Sequence, residues 1–143
     1  MQIVESNGKL LYRNKNVEIR DIDTIPPQTV ENLNKAGDTI NNYAKQHKAK
    51  VVFSDARKDM GEFDFPSIDR VLTDSVAIKV QRKGEDFSRV DYVNRYSNEV
   101  ENKPFIRTVY EKIQKLVEGK DVQLTAHKKE TMEKLIKAGK VLA

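Results

Sequence analysis

Gln81 and Lys83 lie two residues apart in Val80-Gln81-Arg82-Lys83. Side chains two apart on a β-strand share a face, so an amide oxygen and an ammonium can be aimed at one point. If Asp69, in Ser67-Ile68-Asp69-Arg70, lies on the neighbouring strand, the three groups can surround a divalent metal and the water it activates. Such a metal polarises a phosphoryl oxygen and lowers the pKa of its water, while Lys83 orients that water or stabilises the developing charge. The chemistry indicated is phosphodiester hydrolysis. A plainer reading stands beside it: Val76, Ile78 and Val80 face a core, and Lys79, Gln81 and Lys83 form the solvated side of a sheet.

Other chemistries are poorly supplied. The chain has no cysteine and two histidines, His47 and His127, which removes disulfide scaffolds, thiol nucleophiles and zinc knuckles. Any metal is therefore held mainly by oxygen, and each histidine reads as a surface or helix-end residue. The acids Asp55, Asp59, Glu62 and Asp64 lack the spacing of a calcium loop and read as loop solvation. The six glycines never fall at the spacings of phosphate loops or dinucleotide fingerprints.

The elements that must position these residues follow from periodicity. Residues 1–23 alternate as short strands, with Asn7-Gly8 as a hairpin turn, and form an antiparallel meander. Val30, Leu33, Ile40, Tyr43 and Ala44 recur at helical spacing, which predicts a helix from Pro27 to His47; Gly37 within it suits close packing. Strands are expected at Val51 to Ser54, Ile68 to Leu72 and Ser75 to Lys83, with a loop over Asp55 to Pro66. Gly84 to Lys103 reads as irregular and partly helical. Ile106, Val109, Tyr110, Ile113, Leu116 and Val117 give the cleanest amphipathic face, opened by Pro104 and ended by Gly119. A short strand at Val122 to Leu124 and a final helix complete a single domain over residues 1–143, with residues 27–139 as its α-β-β-β-α-β-α core.

That element order, with Asp69 and the Gln-x-Lys pair, resembles the restriction-endonuclease-like core of the PD-(D/E)xK nuclease superfamily. The resemblance covers roughly Pro27 to Gly139. It implies a mixed α/β fold, three-layer-like, with a mixed sheet flanked by helices. It also implies one or two divalent cations, Mg2+ or Mn2+, held by Asp69 and Gln81, with Lys83 as the water-orienting or charge-stabilising group. Gln81 stands where Asp or Glu is usual, which removes one negative charge from the site. Asp64 and Asp74 compete for the place of the first acid, and Glu31 on the first long helix is a further candidate ligand. Chains of this size and class resemble nuclease domains of bacterial toxins and enzymes carried by phages and mobile elements.

The 26 Lys and Arg exceed the 22 Asp and Glu by four, a mild basic bias that suits a polyanion. Arg82, Arg89, Arg95, Lys128 and Lys129 are the residues expected to hold DNA or RNA. Tyr92 and Tyr96, beside Arg89 and Arg95, either stack on bases or close the core, the latter being preferred. No apolar run has the length of a membrane span and the N-terminus lacks a basic-then-apolar leader, so the expectation is a soluble, cytoplasmic protein. The competing function is a non-catalytic module that binds protein or nucleic acid, or an inhibitor or immunity-type partner. The edge of the N-terminal hairpin offers a place for a protein partner to add a strand.

Overall fold

The computed structural model describes residues 1–60, 75–94 and 104–119. It is a mixed α/β fold built on one six-stranded sheet. The N-terminal meander is β1 (Gln2–Ser6), β2 (Lys9–Asn14) and β3 (Val17–Ile19). Asn7 and Gly8 both take positive φ, 53° and 78°, as the two central residues of a type I′ turn do. This turn sets the register Ser6↔Lys9, which places Leu11 and Arg13 on one face and Tyr12 on the other.

α1 (Pro27–Gln46) follows, then β4 (Ala49–Asp55), which returns parallel to β3 with Ile19 opposite Phe53. β5 (Ser75–Arg82) and β6 (Arg89–Asn94) continue antiparallel, so the spatial order is β1-β2-β3-β4-β5-β6. The last described helix, α3 (Phe105–Glu118), begins after Pro104 and ends at Gly119. Gly119 has φ 67°, a left-handed conformation that glycine adopts without the Cβ penalty of other residues.

One face of the sheet holds the core. Val17, Ile19, Val51, Phe53, Val76, Ile78, Val80 and Val93 are buried in a single cluster with Leu33, Ala36, Ile40 and Ala44 of α1 and Ile106, Val109, Tyr110, Ile113 and Val117 of α3. Both long helices therefore lie on the same side. Among the described residues the other face carries a smaller apolar contact, in which Ala56 packs on Ala77 beside Tyr92. Elsewhere on that second face β4 and β5 carry Lys50, Lys79 and Gln81. At Gly37 a Cβ would collide with the Met1 thioether, so the absent side chain does let the N-terminus lie against α1.

Two expectations for the loops are corrected. Asp55 to Pro66 does not open as a loop: Asp55 ends β4 and residues 56–60 form the short helix α2 (Ala56–Met60). Its first turn is nucleated by the Asp55 carboxylate, which accepts the Arg57 backbone N–H at 3.0 Å. Gly84 to Lys103 is not irregular throughout, because Arg89–Asn94 pairs with β5 over its whole length. The strand expected at Ile68 to Leu72, the strand at Val122 to Leu124 and the final helix lie outside the described residues. No described helix is long and apolar enough to cross a membrane.

Burial pushes the Tyr110 phenol up to about 12, and burial with the nearby Glu118 charge does the same for Tyr43. An unfolded tyrosine ionises near pH ~10. The folded state thus keeps both protons longer, and this contribution to stability is complete below pH ~10 and lost as pH rises from ~10 to ~12. In an alkaline titration followed by phenolate absorbance, Tyr43 and Tyr110 are expected to ionise last and together with unfolding. Phe at both positions should move the alkaline unfolding midpoint upward; an unchanged midpoint would count against this assignment.

Candidate nucleic-acid interface

The second face of the sheet is built by alternation. Register places Arg13 beside Glu18, Glu18 beside Val52, Val52 beside Lys79 and Lys79 beside Val90. This row crosses five strands, about 19 Å at the usual ~4.8 Å strand spacing. The neighbouring rows pair Lys50 with Gln81 and Ser54 with Ala77. At one end Ala56 and half-buried Tyr92 cover Ala77, a small apolar contact separate from the main core. Toward the other end Arg13, Lys50 and Gln81 are exposed.

Electrostatics on this face are organised around one carboxylate. Glu18 accepts Arg13 Nε at 3.0 Å through one oxygen and Arg20 Nη2 at 2.9 Å through the other. A concavity of about 440 Å³ lies beside this trio and is lined also by Lys9, Asp21, Ser54, Lys58 and Lys79. A second, of about 610 Å³, adjoins it and adds Lys15, Lys50 and Gln81. Leaving Lys79 out of the count, the cations Lys9, Arg13, Lys15, Arg20, Lys50 and Lys58 line the two concavities with the carboxylates Glu18 and Asp21, and Lys58 also pairs with Asp23 at 4.0 Å. The potential over such a surface favours an anionic ligand.

The residues singled out from sequence distribute unevenly. Gln81 is exposed on this face, with Lys50 opposite, and its Nε2 donates to the Glu85 carbonyl at 3.1 Å. Lys83 follows the end of β5, where its backbone N–H donates to the Lys48 carbonyl at 2.9 Å. Gln81 and Lys83 do share the wall of a concavity of about 360 Å³ with Lys48, Lys50 and Glu85. Glu31 does not join them: it lies on α1, across the sheet from Gln81, and forms an exposed ion pair with Lys35 at 3.1 Å. Asp64, Asp69, Asp74, Arg95, Tyr96, Lys128 and Lys129 lie outside the described residues.

Arg82 and Arg89 are engaged in holding the fold. Glu85 binds both, Arg82 through Nε and Arg89 through Nη2 at 3.1 Å, and Arg82 Nη1 reaches the Val117 carbonyl at 3.3 Å. The pair closes over the C-terminal end of α3, where cations complement the helix dipole, and both guanidinium groups occupy the space a Cβ on Gly119 would need. The Arg82 hydrogen bond, with the one from Arg89, holds the Glu85 carboxyl below its ordinary range. That interaction is present at neutral pH and is lost as acid protonates Glu85.

A site for Mg2+ or Mn2+ is not assembled by the described residues. None of their His, Asp or Glu side chains gather in a group of three or more able to hold a metal, and Gln81 lies opposite exposed Lys50, whose charge repels a cation. Asp55, read from sequence as loop solvation, is instead buried at 9% exposure. It accepts the Thr24 hydroxyl at 2.8 Å, while its backbone N–H donates to Asp21 at 3.0 Å. Sequence reasoning missed Arg13, Glu18, Arg20, Lys50 and Ser54; the available signal was the period-two placement of charges in β2, β3 and β4. No known family model, curated protein or solved structure matches this chain.

Proposed function

We propose that this protein binds nucleic acid across the second face of its sheet, opposite the two long helices. The observation that carries this reading is the group of cations on that face, with Arg13, Lys15, Arg20 and Lys50 lining two adjoining concavities. Phosphate contacts of this kind supply affinity without requiring base readout. The basic balance of the whole chain, +4 at neutral pH, acts in the same direction.

The test is binding of labelled single-stranded DNA, RNA and duplex DNA, followed by anisotropy between low and moderate salt. Binding should weaken steeply with salt. Lys50→Gln should lower the slope of log affinity against log salt by about 0.9 on duplex, whereas Lys35→Gln, on the helix side, should leave it unchanged. Absence of binding at low salt, or equal slopes for both variants, rejects the proposal. Heparin binding with no nucleic-acid binding would assign the face to another polyanion.

The metal-dependent nuclease reading adds hydrolysis of the bound strand, with Asp69, Gln81 and Lys83 as its residues. What supports it is the shared wall that Gln81 and Lys83 line; what weighs against it is the cationic neighbourhood of Gln81. Cleavage in Mg2+ or Mn2+ that EDTA stops, and that Asp69→Asn and Lys83→Ala both abolish, would establish it.

A further inference from the structure

We infer that the concavity between the N-terminal meander and β4 binds a phosphomonoester, the terminal phosphate of a nucleic-acid strand or of a mononucleotide. Ser54 is 8% exposed, lines this concavity, and its Oγ has no hydrogen-bond partner among the described residues. A buried hydroxyl left unsatisfied is unfavourable, and natural proteins rarely keep one without a partner. The Oγ itself is closed off from solvent, so an anionic oxygen in the concavity supplies that partner once a neighbouring side chain gives way.

The surrounding groups are already oriented for such a ligand. Glu18 fixes Arg13 through Nε and Arg20 through Nε and Nη2, so terminal N–H groups of both guanidiniums are left for a second acceptor. Lys58 stands 3.6 Å from Asp21 and 4.0 Å from Asp23, loose pairs from which it can turn toward the ligand. Charge then selects the species. Leaving Lys79 aside, the lining carries Lys9, Arg13, Arg20 and Lys58 against Glu18 and Asp21, an excess of two positive charges. A phosphomonoester carries about −1.5 to −2 at neutral pH, against −1 for each diester of a continuous strand. A recess of about 440 Å³ also suits the end of a strand or a single nucleotide better than a backbone passing over the surface.

The strand-end source rests on the nucleic-acid reading above; the phosphate site itself does not. The experiment compares oligonucleotides ending in 5′-phosphate, 3′-phosphate and hydroxyl, with inorganic phosphate and a nucleoside monophosphate as competitors in calorimetry. A phosphorylated end should bind about tenfold tighter than a hydroxyl end. Arg20→Gln and Ser54→Ala should each remove most of that preference, while Lys50→Gln weakens all strands alike and leaves the ratio. Ser54→Ala should also keep or raise the melting temperature, because it deletes an unpartnered buried hydroxyl, which separates lost binding from lost folding. Phosphate or monophosphate binding without strand binding would support the site and reject the strand as its source. Equal affinity for all ends, with no binding of inorganic phosphate or monophosphate, overturns the inference even if strands bind.

Discussion

Phe53→Ala is expected to destabilise the protein by about 3–5 kcal/mol, the usual cost of emptying a large core site. Phe53 is fully buried between Ile19 and Ile78 on the adjacent strands, and its carbonyl accepts the Arg20 backbone N–H at 2.8 Å. Total stability of a domain this size is about 5–15 kcal/mol, so the variant should melt far below the parent. The adjacent Val52→Ala is the informative control, because Val52 is half-buried on the opposite face and should cost about 1 kcal/mol or less. Comparable losses for the two, measured by urea unfolding, would contradict the division of the sheet into a core face and a polar face.

Removal of the Asp55 carboxylate is expected to cost about 2–3 kcal/mol. Two contributions combine: the cap of α2, about 1 kcal/mol, and a charge-assisted hydrogen bond from Thr24, about 1.5–3 kcal/mol, the two being less than additive because they share one side chain. Asp55→Ala loses both; Asp55→Asn keeps an oxygen for the Arg57 N–H and should recover roughly half. Denaturant midpoints for the pair distinguish this account from loop solvation, under which neither substitution would matter.

Much of the frame was legible because its signals are local. Asn7-Gly8 dictated the hairpin, and the apolar spacings of α1 and α3 identified helices that bury the same side chains the pattern named. In β5, Val76, Ile78 and Val80 turned inward as their alternation required. β6 was obscure because neither of its faces is uniform: Val93 is buried while Asp91 on the same side pairs with Lys112 at 3.2 Å, and exposed Val90 shares the other side with half-buried Tyr92. α2 is too short to show a period.

The candidate site was less legible, since it depends on register across strands distant in sequence. Glu18 meets Val52 only because β3 and β4 run parallel with Ile19 opposite Phe53. Arg82 and Arg89 looked like ligand-binding cations because composition cannot reveal that Glu85 and the end of α3 occupy them. Asp55 was misread for a related reason: an acid among other acids resembles a solvated loop until its burial is known. Glu31 and Gln81 seemed compatible until the helix was found across the sheet.

The alternation in β5 has a consequence for how the chain avoids misfolding. Sliding β5 by one residue against β4 would exchange the two sides of the strand, sending Lys79 and Gln81 into the apolar interior and turning Ile78 and Val80 out to water. An unpaired ammonium in that interior is far costlier than the pairing energy such a slip could recover. The same charges that would attract a ligand therefore lock the strand alignment, so a variant stripped of them risks losing a unique folded state along with its affinity.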